Sequence, residues 1–225
     1  GPHPFWAFRE GSSWRIEEFA DWPKDRPLDG RMTAKQLAPG DLDQDGILDL
    51  FVGVNVGQPL QSPEELRDFM LMGDGSGHYQ QGKALSGLAQ DGRAFDVVWL
   101  DANEDGWDDV FVINDMGALY GPATLWENQK GTWTVAENCN CNVDYSAMAT
   151  STGDINNDGH LDLFASATGI NALLLGQGDG SFVDVTASTG VNTLENYWEM
   201  GWGTQFLDAD NDGRMDLLVP QGDFW

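Results

Sequence analysis

Asp41-Leu42-Asp43-Gln44-Asp45-Gly46-Ile47-Leu48-Asp49-Leu50-Phe51-Val52 joins two patterns. Acids stand at positions 1, 3, 5 and 9 around a glycine at position 6, and an apolar run follows directly. The pattern returns as Asp101-Ala102-Asn103-Glu104-Asp105-Gly106-Trp107-Asp108-Asp109. It returns again as Asp154-Ile155-Asn156-Asn157-Asp158-Gly159-His160-Leu161-Asp162 and as Asp208-Ala209-Asp210-Asn211-Asp212-Gly213-Arg214-Met215-Asp216. Each copy runs into short apolar residues, respectively Val110-Phe111-Val112, Leu163-Phe164-Ala165 and Leu217-Leu218-Val219. Such runs, rich in β-formers and bounded by turn residues, predict buried strands.

The copies start 60, 53 and 54 residues apart, a spacing that fits propeller blades. Between them lie hairpin signals. Asn171–Val185 carries two apolar runs around Asp179-Gly180, Phe69–Tyr79 repeats this around Asp74-Gly75, and Leu125–Val135 does so more loosely. Each unit therefore reads strand, Asp-rich loop, strand, hairpin. The expected fold is all-β: a β-propeller, or part of one, of about four four-stranded antiparallel blades. The units are expected at 32–83, 94–136, 147–187 and 200–225. The last would be completed by the hairpin at 4–20 or by another chain, so a closed ring of four and an arc of a larger ring both stay open. Ser62-Pro63-Glu64-Glu65-Leu66 is expected to start a short helix.

The loop chemistry points to a hard cation. Ca²⁺ takes six to eight oxygens, and the side-chain oxygens of positions 1, 3 and 5 can converge. Glycine at position 6 supplies the positive φ that folds the loop back. The expected ligands are Asp41, Asp43, Asp45 and Asp49; Asp101, Asn103, Asp105 and Asp109; Asp154, Asn156, Asp158 and Asp162; and Asp208, Asp210, Asp212 and Asp216. Position 7 would add a backbone carbonyl from Ile47, Trp107, His160 and Arg214, which leaves its side chain free to vary. A helix–loop–helix calcium site would need a bidentate Glu at position 12. Here that position holds Val52, Val112, Ala165 or Val219, so the Asp at position 9 must close the loop. A single copy would read as readily as an Asx turn; four copies with the same Gly and final Asp favour about four Ca²⁺ ions.

Composition narrows the partners. The 225 residues carry 37 acids against 11 Lys and Arg, a net charge of -26. That surface repels nucleic acid and anionic lipid. No apolar stretch reaches the 18 or so residues of a membrane-spanning helix, so no membrane insertion is expected. The chain opens without Met, as a processed or trimmed product would. Cys139 and Cys141 are read as two buried thiols, with a disulfide as the other reading. Trp99, Trp126 and Trp133 are expected in the core. Trp198 and Trp202 are weighed as a stacking surface, with packing against the next blade preferred.

The loops and their following strands resemble the FG-GAP/VCBS repeats of integrin α-subunit propellers and many bacterial exoproteins. The stretch Asn171–Val191 is similar to the ASPIC/UnbV, cartilage acidic protein-like, group. That resemblance implies rings of seven or eight blades, calcium between the first two strands of each blade, and secretion. The chain departs from it in having four units and no separate ASPIC/UnbV C-terminal segment. The expected function is a non-catalytic, extracellular calcium-binding propeller module for adhesion, ligand binding or structural assembly. Its partner would be a protein, a glycan or copies of itself, and its place secreted, cell-surface or periplasmic. The alternative is a lyase-like polysaccharide-active enzyme, for which His78-Tyr79 is the neighbouring acid–base pair; a strand end is the preferred reading of that pair.

Overall fold

The computed structural model describes residues 5–23, 32–56, 68–82, 93–192 and 199–222. Strands β1 (Phe5–Glu10) and β2 (Ser13–Glu18) form a hairpin of their own. Blade one is β3 (Met32–Gly40), β4 (Asp49–Val56), β5 (Phe69–Gly73) and β6 (Tyr79–Gln81). Blade two is β7 (Ala94–Leu100), β8 (Asp109–Asn114), β9 (Thr124–Gln129) and β10 (Thr132–Val135), with helix α1 (Gly117–Tyr120) between β8 and β9. Blade three is β11 (Ala147–Gly153), β12 (Asp162–Ala167), β13 (Ala172–Gly176) and β14 (Phe182–Asp184), followed by helix α2 (Thr186–Thr189). All three are antiparallel meanders in sequence order.

A fourth unit follows in two pieces. Strand β15 (Met200–Gly201) pairs with β18 (Gln221–Gly222), and β16 (Gln205–Leu207) pairs with β17 (Asp216–Leu218). The first strands of successive units adjoin one another, β3 with β7, β7 with β11 and β11 with β16.

The second strand of each complete blade is buried on both faces, which is why its residues form continuous apolar runs instead of alternating with polar ones. Alternate side chains serve different neighbours. Leu50, Val52 and Val54 join Phe19 and Phe69 on the side of the N-terminal hairpin. Phe51 meets Val97, Val110, Val112 and Trp126 between blades one and two. Phe111 and Ile113 meet Leu163, Ala165 and Ala167 between blades two and three. Phe164 and Leu173 meet Phe206 and Leu217 between blades three and four. Val52, Val112 and Ala165, at loop position 12, are all buried, as a β-type loop requires.

Several expectations need correction or completion. Cys139 and Cys141 form a disulfide within the core of blades two and three; they lie in the connection after β10, not on a strand. The N-terminal hairpin does not pair with β16–β17: it lies against blade one, where Trp6 stacks on Tyr79 at 5.7 Å and packs on Phe19. The apolar run of the fourth unit is only partly covered, with Leu218 58% exposed: among the described residues no third strand pairs with β17. The helix expected at Ser62–Leu66 and the side chain of Trp198 lie outside the described residues. Of the expected core tryptophans, Trp126 is fully buried, while Trp99 and Trp133 are half-buried and pack against the same cluster. Trp202 is 45% exposed.

Candidate metal centre

Each Asp-rich loop joins the end of a first strand to the start of a second, and all four repeat one set of hydrogen bonds. The N–H at position 5 donates to the side-chain oxygens of positions 1 and 3: Asp45 to Asp41 and Asp43, Asp105 to Asp101 and Asn103, Asp158 to Asp154 and Asn156, Asp212 to Asp208 and Asp210. The glycine N–H at position 6 donates to the other oxygen of position 1, at 2.8–3.0 Å. The N–H at position 7, from Ile47, Trp107, His160 and Arg214, donates to the carboxylate at position 5.

Two residues per loop adopt left-handed backbone. Glycine at position 6 has φ between 85° and 93°, which no side chain opposes. Position 4 is left-handed too, at Gln44, Glu104, Asn157 and Asn211. Asn tolerates this conformation and Gln and Glu do so less readily, so the sequence alone gave no reason to expect it at all four.

The Asp at position 9 closes the loop from the strand side. One oxygen of Asp49, Asp109, Asp162 and Asp216 accepts the N–H of position 2, from Leu42, Ala102, Ile155 and Ala209 at 2.8–3.0 Å. In the complete blades its other oxygen accepts an N–H from the third strand: Gly73, Asn128 and Gly176 at 2.7–2.9 Å. This carboxylate therefore pins loop, second strand and third strand together. Asp49, Asp109 and Asp162 are buried, whereas Asp216 is exposed.

Burial has an electrostatic consequence. It raises the pKa of Asp49 and of Asp162 above the ordinary carboxylate value, against the lowering effect of their two backbone donors. For Asp109 burial wins by more, and its pKa is pushed up to about 7. Neighbouring carboxylates of the same loops push in the same direction. Buried charge without a counter-charge is the condition that a bound cation relieves.

The donor geometry fits such an ion. Carboxylate oxygens of Asp41, Asp43 and Asp49 lie within 4.8 Å of one another, as do those of Asp208, Asp210 and Asp216. Loops two and three place Asn103 and Asn156 where the other two have Asp, with the same internal bonds. All these donors are hard oxygens, which suits Ca²⁺ over softer metals. The side chain of His160 turns away to Glu104, and that contact raises the His160 pKa. In loops three and four the second oxygen at position 5 is engaged: Asp158 accepts from Asn156, and Asp212 pairs with Arg214.

Sequence reading missed the third-strand donors. Gly73, Asn128 and Gly176 occupy matching places in β5, β9 and β13, and the signal was the glycine ending two of those strands. A Cβ at Gly73 would stand 2.5 Å from the Leu48 carbonyl, and one at Gly176 2.2 Å from that of Leu161.

Meandering four-stranded sheets, adjoining through their first strands and each carrying this loop, define a protein of the β-propeller class. The model of the FG-GAP-like repeat matches residues 101–165 and 154–219, together more than half of the chain. The chain belongs to the FG-GAP-like repeat family. It is 32% identical to cartilage acidic protein 1 of Xenopus tropicalis over 85 residues, 37% of this chain and 13% of that protein. It is 28% identical to integrin alpha-6 of Gallus gallus over 136 residues, 55% of this chain and 12% of that protein. The chain thus matches about an eighth of the length of these relatives. A solved structure, described as the recognition of non-reducing terminal N-acetylglucosamine by an Agrocybe aegerita lectin, shares the fold. Its TM-score is 0.52 at 12% identity, covering 95% of this chain and 54% of that one.

Proposed function

We propose that this chain is a non-catalytic, calcium-binding propeller module that works outside the cell or at its surface, in adhesion, ligand binding or assembly. The observation that carries the reading is the repeated loop: four copies, one hydrogen-bond pattern, and a closing carboxylate buried in each complete blade. Positions 1, 3, 5 and 9 would hold the ion through side-chain oxygens, and Ile47, Trp107, His160 and Arg214 through their carbonyls. When bound, Ca²⁺ supplies positive charge that offsets carboxylate repulsion. The residues themselves fix the entry angle of each second strand and so the packing of one blade on the next. Extracellular fluid holds enough calcium to fill even weak sites.

A ligand surface is supported at the opposite ends of the same strands. A cleft of about 420 Å³ there is lined by Met116, Leu119, Asp144, Tyr145, Thr168 and Ile170. Met116, Leu119 and Ile170 are exposed apolar side chains, and a protein or glycan partner would cover them. The two relatives, an integrin subunit and a cartilage protein, support adhesion and an extracellular place; the lectin neighbour supports the fold alone. The lyase alternative gains nothing from geometry. His78 pairs with Asp21 at 3.1 Å, and Tyr79 is held in the aromatic cluster of Trp6 and Phe19.

The test is a count of bound calcium by equilibrium dialysis on the full chain, with each position-1 Asp changed to Asn in turn. About four ions, each lost with its own loop, is the expected result; no bound calcium would end the proposal.

A further inference from the structure

The third-strand residue that donates to the closing Asp is glycine in blades one and three, and Asn128 in blade two. Asn128 is buried, and its side chain is engaged in two directions. Its Oδ1 accepts the Gly131 N–H at 2.8 Å, which fixes the amide. Its Nδ2 then donates across the blade boundary to the carbonyl of Leu42, at 3.0 Å. Leu42 is position 2 of loop one, and its own N–H donates to Asp49, the closing carboxylate of that loop. The backbone N–H of Asn128 donates to Asp109, the closing carboxylate of loop two. An unbroken buried path thus runs from Asp49 through Leu42 and Asn128 to Asp109.

A second contact joins the same two loops at the surface. The side-chain amide of Gln44, position 4 of loop one, donates to the carbonyl of Gly106 in loop two. The N–H of that same peptide, from Trp107, donates to Asp105. Loops two and three are joined otherwise, through Glu104 to His160, while the β13–β14 turn of blade three donates the Gly180 N–H to the Ala102 carbonyl of loop two. Among the described residues no hydrogen bond joins loop four to another loop.

We propose that Asn128 couples loops one and two, so that filling either with Ca²⁺ raises the affinity of the other. The inference rests on the calcium reading above. Asn128 is a positioning residue: it touches no ion, but it holds the peptides that aim both closing carboxylates. Buried hydrogen bonds polarise one another along a chain, and drawing Asp49 onto an ion tightens Leu42, then Asn128, then Asp109. Coupling of this kind must be reciprocal.

The experiment follows calcium titration of the full chain labelled with ¹⁵N-glycine, reading the amides of Gly46, Gly106 and Gly213 loop by loop. Disabling loop one with Asp45→Asn should raise the calcium needed to half-fill loop two by about 5-fold, the lower end of ordinary coupling. Disabling loop four with Asp212→Asn should leave loop two within about 2-fold. In the Asn128→Ala background, which keeps the backbone N–H to Asp109, the effect of Asp45→Asn should also shrink to within about 2-fold. Equal responses to the two loop knock-outs, or coupling that survives Asn128→Ala, would overturn the proposal. Should Asn128→Ala not fold, Asp105→Asn read at Gly46 decides instead: it must show the same factor, and an unmoved loop one refutes the coupling. If no glycine amide responds to calcium in the unaltered chain, the calcium reading itself fails, a different result from independent filling.

Discussion

Gly176 donates its N–H to Asp162 at 2.9 Å from a backbone that leaves no space for a side chain. A Cβ there would stand 2.2 Å from the carbonyl oxygen of Leu161. Gly176→Ala must therefore move either β13 or the strand carrying Asp162, and the closing carboxylate loses its donor in both cases. The expected loss is about 1–3 kcal/mol, as for overpacking in a core, which is roughly 2–10 °C in Tm for a chain of this size. Gly190→Ala, where nothing lies within 4 Å, meets only the backbone strain of a positive φ and should lose less. Thermal unfolding of both variants separates packing from strain; equal losses would show that the Gly176 contact does not matter.

Calcium removal is the broadest test of the loops. An ion present at 100 times its Kd stabilises the native state by about 2.7 kcal/mol per site. Chelation should then lower Tm by more than about 10 °C if most sites are filled. Identical unfolding curves in millimolar calcium and in excess chelator would return the loops to plain turns.

Asp96 gives a pH dependence that lies outside the four Asp-rich loops. It is half-buried in β7 and accepts the N–H of Thr150 in blade three at 3.0 Å. Burial outweighs this bond and the one from Val97 and raises its pKa above 3.8. The folded state thus holds its proton more tightly than the unfolded chain. The resulting stabilisation is complete below the unfolded value and is lost as pH rises through the folded one. With calcium saturating, Asp96→Asn should therefore flatten the loss of stability as pH rises above the ordinary carboxylate value. Parallel pH profiles for the two proteins would contradict this assignment.

Core substitutions should differ between a face closed on both sides and the open fourth unit. Phe111 is fully buried between blades two and three, and Phe111→Ala should destabilise by about 3–5 kcal/mol. Leu218 is mostly exposed on β17, and Leu218→Ala should stay within about 0.5 kcal/mol. Urea unfolding measures both, and a large loss at Leu218 would mean that the strand is covered in solution.

The blades and loops were legible because both rest on local chemistry. An Asp–Gly turn between apolar runs makes a hairpin, and Asp at positions 1, 3, 5 and 9 makes a converging loop, whatever surrounds them. What stayed hidden depends on distant neighbours. Asn128 looks like an ordinary turn residue until Leu42, 86 residues earlier, is placed beside it. The Cys139–Cys141 disulfide was the less favoured reading, because on an extended strand the two sulfurs lie near the limit of reach; the irregular connection after β10 brings them together. The N-terminal hairpin was equally readable as a hairpin, but its seat on blade one is fixed by Trp6 meeting Phe19 and Tyr79.

The alternation of Val110, Phe111, Val112 and Ile113 between two clusters means that the middle sheets have no outside. Each is a wall shared by two rooms. Amide exchange should consequently be slowest in β8 and β12, guarded from both sides, and should begin in β16 and β17, where one wall stands open. Opening would spread inward sheet by sheet, as slices leave a loaf, and each lost slice would expose the apolar face of the next.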